Sequence, residues 1–241
     1  MLPKAIWHQN ACVVLLEGAY LTPEQRVRLS ERPFLPLYFH DDVFELINLG
    51  PWLWHCPQSE ERLLATLVQQ GHVVGLLESD QPLSTLQKQL ALGVRVIEPE
   101  GQFSQLLRFY TPQALPLLIE QYDAPWLGGL FGGIDRWWLR ENDGSWRELS
   151  LSIPPTEPVL VKLTPELYQA LQGSPDEHRL LALWQEGENI RHFPPCERMR
   201  MVRKALEKAE KAGATEAQRR LWALAYLEGG RQALEEQKGR T

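Results

Sequence analysis

Residues 71–115 read GHVVGLLESDQPLSTLQKQLALGVRVIEPEGQFSQLLRFYTPQAL, and the order of apolar runs and breakers within them decides the fold class. Val73 to Glu78 is a compact apolar run of strand length. Asp80 is placed to cap a helix beginning near Pro82, since proline is favoured in a first turn, and Leu83, Leu86 and Leu90 mark the buried face of that helix. Beyond Gly93 the chain turns extended again at Val94 to Ile97, giving a βαβ-like unit of the size that a right-handed crossover needs. Ser104 to Tyr110 reads as a further strand, and Pro112 as the N1 residue of a helix reaching about Tyr122. Strands alternating with helices predict an α/β N-terminal lobe with a mixed sheet.

The flanking sequence extends this pattern in both directions. Cys12 to Leu16, closed by Glu17 and Gly18, reads as an early core strand. Thr22 and Pro23 have the N-cap and N1 chemistry of a helix start. Leu37 to Phe39 reads as a short strand in a stretch made irregular by Pro33 and Pro36. Gly50-Pro51 turns into the aromatic run Trp52-Leu53-Trp54. Ser59 is placed to cap a helix with the stripe Leu63, Leu64, Leu67 and Val68, ended by Gly71 at C′. After the glycine-rich residues 127–133, Ile134, Trp137 and Trp138 lead to Asn142-Asp143-Gly144, a turn signal that predicts a hairpin with Trp146 to Leu151.

Pro154, Pro155 and Pro158 stiffen a connection, beyond which composition changes, so the expected lobes are residues 1–153 and 157–241. The second is all-helical. Thr164-Pro165-Glu166 starts a helix, Pro175 to Gln185 forms another, and Pro194-Pro195 introduces a longer one through Ala212, stopped by Gly213. Thr215 and Gln218 form a capping box for a last helix ending before Gly229-Gly230. Val202, Leu206 and Ala209 are expected to face Ala217, Leu221, Leu224 and Ala225 across a hairpin, with residues 232–241 frayed.

Composition limits the function classes. The 241 residues are 44% hydrophobic, enough for a core, and the net charge of −6 argues against general nucleic-acid affinity, which needs clustered cations. Most of the nine tryptophans are expected to fill the core. Cys12, Cys56 and Cys196 are far apart in the sequence and odd in number, a pattern that signals no disulfide framework and no CxxC metal pair, and a reducing cytoplasm is the expected compartment. The start of the chain lacks the apolar segment of a signal peptide, and no 18 apolar residues run together, so neither export by that route nor a membrane span is expected.

Several constellations invite chemistry. Gly128-Gly129 and Gly132-Gly133 lack both GxxxxGK[ST] and GxGxxG, and read as a sheet bend or bulge. His40-Asp41-Asp42 offers metal ligands without a second histidine at ligand spacing. His55-Cys56 juxtaposes base and thiol, though chain neighbours do not ordinarily face one another. Glu78-Ser79-Asp80 ends a strand, where α/β proteins place chemistry; capping by Asp80 or Ser79, and pairing of Glu78 with backbone or with Arg108, is the structural alternative. On the C-terminal helices Arg198, Arg200, Arg203, Lys204, Lys208 and Lys211 form a basic face, and Trp222 and Tyr226 lie four apart on the next helix. Arg200, Arg203, Lys204, Lys208, Trp222 and Tyr226 are therefore the candidate partner-binding residues, read as a docking face for an acidic partner.

Leu77-Glu78-Ser79 followed by Pro82-Leu83, Leu86 and Leu90, then Gly101, Arg108-Phe109-Tyr110, Pro112 and Leu115, resembles the adaptor (chaperone) family of bacterial type VI secretion. Gly18-Ala19, Pro51-Trp52-Leu53 and Phe131-Gly132 with Ile134 and Trp137 extend the resemblance over residues 5–140. It implies a cytoplasmic, non-enzymatic protein that binds a toxic effector and loads it onto the VgrG spike protein, with no cofactor. The family-motif residues Trp52, Glu78, Ser79, Pro82, Arg108, Phe109, Tyr110 and Trp137 are then mainly structural. The alternatives are a hydrolase or transferase using the strand edge near Glu78 and Asp80, and nucleic-acid binding through the basic helix.

Overall fold

The computed structural model describes residues 2–3, 6, 11–30, 32–40, 43–101, 104–141, 144–193 and 195–240, excluding the side chains of residues 11, 28, 30 and 195–197. In chain order the elements are β1 (Ala11–Glu17), α1 (Pro23–Ser30), β2 (Phe34–Pro36), β3 (Pro51–Pro57), α2 (Glu61–Gln69), β4 (Val73–Glu78), α3 (Leu83–Val94), β5 (Arg95–Ile97) and β6 (Ser104–Leu106). There follow α4 (Leu115–Ile119), α5 (Leu127–Phe131), β7 (Arg136–Arg140), β8 (Trp146–Ser150), β9 (Val161–Lys162), α6 (Pro165–Gln172), α7 (Pro175–Gln185), α8 (Pro195–Lys211) and α9 (Glu216–Gly239). These divide into two compact units, Met1–Leu171 and Gln172–Thr241.

The first unit is mixed α and β. Its main sheet has six strands in the order β2-β3-β1-β4-β7-β8, and every neighbouring pair is antiparallel. Both faces are covered, which is why β1 is apolar from Ala11 to Leu16. Val13 and Leu15 point into one core with Leu86, Leu90, Leu118 and Phe131; Cys12, Val14 and Leu16 point into another with Leu29, Leu64 and Leu67. Trp137 and Trp138 take opposite faces in the same way, as the period of two requires. Seven tryptophans, at 52, 54, 126, 137, 138, 184 and 222, are buried, as the sequence implied for most of them.

The βαβ expectation changes on pairing. β4 lies in the six-stranded sheet, whereas β5 joins a separate sheet of order β6-β5-β9, so α3 connects two sheets and is not a crossover within one. The parallel pairing is between β5 and β9. The strand expected over 104–110 stops at Leu106, and the helix expected from Pro112 starts at Leu115, because hydrogen bonds from Ala114 and Leu115 to Thr111 form a turn first. The edge strand expected over 37–39 lies at Phe34–Pro36 instead, paired with β3.

Helix ends follow local chemistry with two exceptions. Thr22 and Gln25 exchange backbone and side-chain bonds at the start of α1, and Ser174 and Glu177 do so at α7. At the end of α2, Gly71 has φ +80°, its N–H bonds Val68 O and the His72 N–H bonds Leu67 O. That paired pattern closes a helix through a left-handed C′ residue. By contrast, Ser59 lies in a 3-10 turn and Glu60 is the N-cap of α2. At α3 the N-cap is Pro82, without a side-chain cap bond, so Asp80 is not the cap.

The glycines before β7 make neither a bend nor a bulge. Leu127–Phe131 is the short helix α5, and the proline-rich segment lies directly on it: a Cβ on Gly128 would sit 2.6 Å from Pro154 O, and one on Gly132 would sit 2.4 Å from Pro155 Cα. This strap carries the chain to β9, whose Val161 is buried with Leu163 and Leu167 in the first core. Trp126 Nε1 donates to Lys162 O at 3.0 Å. The compact units therefore divide after Leu171, beyond the proline connection where the sequence changes composition. The β7–β8 hairpin forms, running from Arg136↔Ser150 to Arg140↔Trp146, while Asn142 and Asp143 lie outside the described residues.

The second unit is helical and has its own core of Leu180, Trp184, Val202, Leu206, Trp222, Leu227 and Leu234. The face that α9 turns inward is Trp222, Ala223 and Leu227, not Ala217 and Leu221, which are exposed. At the expected stop, Gly230 breaks the helical geometry with φ +68° and ψ −152°, yet helical turns resume to Gly239. They persist because Leu234 is buried. Pro194 lies outside the described residues.

Replacing Gly132 with alanine should destabilise the protein by about 1–3 kcal/mol through overpacking against the strap. Gly239→Ala, where a Cβ meets nothing within 4 Å, should change little. Urea unfolding of both variants checks this, and equal stabilities would mean that the strap does not press on α5.

Candidate functional site

The end of β4 holds the acid and hydroxyl that the sequence marks as candidate chemistry, Glu78 and Ser79. Glu78 faces Arg136 across the β4–β7 ladder, and its two oxygens accept from Arg136 Nε at 2.6 Å and Nη2 at 3.2 Å. The partner is thus Arg136, not Arg108. Ser79 Oγ donates to Gly133 O at 2.7 Å and accepts from Gln81 N at 3.2 Å. Gln81 and Gln89 both donate to Gly132 O, and Gln89 also to Leu130 O, satisfying carbonyls that the end of α5 leaves open. These side chains hold β4, α3 and α5 together.

The other chemical constellations separate. His55 is exposed while Cys56 is fully buried, because consecutive strand residues take opposite faces; they do not form a base–thiol pair. His40 stacks on Phe39 at 4.4 Å between ring centroids, and Asp41 and Asp42 lie outside the described residues. Among the described residues no three His, Cys, Asp or Glu side chains group to hold a metal.

A buried ionic cluster at the end of β1 was not read from the sequence. Glu17 is 2% exposed, and its Oε2 accepts from Arg108 Nη2 at 2.5 Å and from the Tyr110 hydroxyl at 2.8 Å. The guanidinium also lies 5.9 and 5.8 Å from the ring centroids of Tyr20 and Tyr110. Burial and the Glu17 charge push the buried Tyr38 phenol up to about 12 and hold Tyr110 well above the ordinary tyrosine value. Burial opposes the charge on Arg108, but Tyr110, Glu17 and Tyr20 outweigh it and raise its pKa. The ion pair and the phenol hydrogen bond together clamp the end of β1 to the turn after β6. The available signal was the alternation Val13, Leu15, Glu17, which puts a carboxylate on an otherwise apolar face.

The remaining motif residues are packed around these two sets. Trp52 is 8% exposed and donates to Ile47 O at 2.7 Å. Phe109 and Trp137 are fully buried and meet edge to face at 6.2 Å. In the helical unit, Arg203 is bound to Glu177 at 3.0 Å with both side chains less than one-fifth exposed. Trp222 is a core residue at 4% exposure, Tyr226 packs against the same core, and Arg200, Lys204 and Lys208 are half-buried. The basic face is thus partly drawn into the unit's own packing, and the unit's exposed large apolar side chains include Leu183 and Leu221.

The first unit also carries an open groove of about 500 Å³. Ile119, Leu127 and Ile153 give it an apolar floor, with Tyr122, Ser152 and Thr156 at its margin; Tyr122 is 79% exposed. Glu120, Asp123 and Glu157, each exposed, adjoin these residues in the chain. Ser150, the last residue of β8, is among the residues lining the groove, and β8 is one of the two end strands of the sheet. Its outer edge has no strand partner among the described residues.

Residues 14–128 match a family described as a domain of unknown function (DUF4123). No curated protein matches the chain. No solved structure matches it. The matched stretch includes Glu17, Glu78, Arg108 and Tyr110 but neither the groove's Ser150–Thr156 wall nor the helical unit.

Glu17→Gln should cost about 2–4 kcal/mol, somewhat less than the roughly 3–5 kcal/mol for breaking a fully buried ion pair, because Arg108 keeps 27% exposure. Tyr110→Phe should cost about 1.5–3 kcal/mol, chiefly for the lost bond to Glu17, the longer contact from Arg108 Nε at 3.4 Å going with it. Denaturant unfolding would contradict the clamp if both variants matched the parent. His72 supplies a pH test. Its Nε2 lies 3.2 Å from Gln25 Nε2, and burial lowers its pKa from 6.5. Below pH 6.5 the unfolded chain therefore binds more protons than the folded one, so stability should fall as pH drops through that value. His72→Gln should flatten this part of the curve.

Proposed function

We propose that this protein is a non-enzymatic adaptor of type VI secretion that binds a toxic effector in the cytoplasm and loads it onto the VgrG spike protein. The resemblance over residues 5–140 names the class, and the family match at 14–128 falls inside that stretch. The observation that carries the reading is the contrast between committed and open surfaces. Glu78, Ser79, Arg108 and Tyr110 are engaged in holding the fold, whereas the groove and the β8 edge stand open. No helix among the described residues is long and apolar enough to cross a membrane.

A protein whose open surfaces are an apolar groove and a sheet edge is suited to an extended partner segment, which gains main-chain bonds at the edge and places alternate side chains in the groove. The acids Glu120, Asp123 and Glu157 suit a segment bearing Lys or Arg beside its apolar residues. We assign this surface to the spike and the helical unit to the more variable cargo. No bond is made or broken; function resides in two interfaces whose affinities hold cargo during assembly and permit handover. Glu78, the acid that a hydrolase or transferase would use, has both oxygens on Arg136, and Arg203 of the basic helix is bound to Glu177, so neither alternative gains an observation.

Co-purification of the full chain with the spike's C-terminal segment and with the effector encoded beside it, singly and together, tests the reading. A ternary complex is expected. Binding to neither, with both partners folded, would reject the adaptor function. Tyr122→Ala combined with Ser152→Arg should weaken the spike at least ~10-fold, the equivalent of about 1.4 kcal/mol, while sparing the effector; the opposite selectivity would reverse the assignment of the two surfaces.

A further inference from the structure

The β1–β3 register sets Cys12 directly opposite Cys56. Opposed residues of an antiparallel ladder have Cα atoms about 4.5 or 5.5 Å apart, inside the range of about 4.4–6.8 Å that a disulfide spans. Their side chains share one face and one core, at 4% and 0% exposure, with Val14, Trp54 and Leu64. Both are free thiols, and a hydrogen bond with Cys56, followed by burial, raises the pKa of Cys12. Cys12 is therefore held in its thiol form in the reduced protein. Cys12 is the second residue of β1 and Cys56 the second-last of β3, so the pair lies at one end of the ladder, away from Glu17↔Pro51 at the other. Ladder ends open with less free energy than ladder centres, which gives an oxidant access to a thiol that is otherwise enclosed.

We propose that Cys12 and Cys56 are a disulfide-forming pair: a dithiol in a reducing compartment, and a covalent staple between β1 and β3 in an oxidising one. With oxidised glutathione as the oxidant, one protein thiolate attacks its S–S bond, forming a mixed disulfide and releasing one glutathione thiolate. The second protein thiolate attacks the mixed disulfide at the protein sulfur, closing the Cys12–Cys56 bond and releasing the second glutathione. The two thiol protons end on the two glutathione molecules, and two electrons pass from the protein to the glutathione disulfide. This inference is independent of the adaptor reading, since it rests on the register and burial of two side chains.

The test is the equilibrium between reduced and oxidised protein in glutathione redox buffers, on the full chain carrying Cys196→Ser, measured in native buffer and in 8 M urea ( governs the unfolded reference). Alkylation of the remaining thiols followed by mass spectrometry reads the fraction oxidised. If the fold presents the pair in bonding geometry, the native equilibrium constant for the disulfide exceeds the unfolded one by roughly 30- to 1,000-fold. A ratio of about one or less, or glutathione adducts in place of an internal bond, overturns the proposal. Peptide mapping of the unsubstituted oxidised chain is the second readout: a cross-linked peptide joining Cys12 to Cys56 is expected, and pairing of either with Cys196 would overturn it.

Discussion

The fold depends on how the Glu17 carboxylate is buried. A charge taken out of water is costly unless it is paired and hydrogen-bonded, and the Glu17 Oε2 meets Arg108 and Tyr110, more than ninety residues on. The cluster thereby fixes the turn after β6 against the end of β1. Neighbouring backbone completes the arrangement: Glu17 N–H bonds His72 O and Gly18 N–H bonds Gly50 O. A Cβ on Gly18 would sit 2.5 Å from that same Gly50 oxygen, so the residue after the buried acid has to be glycine. Four separate segments meet at this point.

The rest of the first unit is a consequence of covering a central sheet on both faces. β1 and β4 are inner strands with apolar residues on each side, and the two cores they separate are closed by different helices. Short side chains permit the closest contacts. The glycines of α5 let the proline strap lie against it, and the strap in turn delivers β9 to the second sheet. The helical unit has an independent apolar core, with Glu177 closing its α7 cap and also binding Arg203.

The division between committed and available groups underlies the functional reading. Acids and cations that look reactive in sequence are engaged within the fold, Glu78 with Arg136 and Glu17 with Arg108. The available surface is largely apolar and open, and its lining includes Ser150 of an outermost strand. An arrangement of that kind offers shape and backbone for another chain. The cysteine pair adds a different property, a covalent response to the redox state of the surroundings.

By itself the sequence determined what local chemistry decides. The apolar runs at Val73–Glu78 and within Ala11–Glu17, the start of α1 at Thr22, the Gly71 stop, the span of α7 and the β7–β8 hairpin all follow from residues within a few positions of one another. Arg108, Tyr110, Trp52 and Trp137 were visible as motif residues, but their partners were not. Only the tertiary structure decided that Glu17 binds Arg108, that Glu78 binds Arg136, that Cys12 faces Cys56, that β5 leaves the main sheet and that Trp222 points inward. Strand register and side-chain pairing join positions far apart in the chain, and periodicity specifies which face a residue takes without specifying what it will meet there.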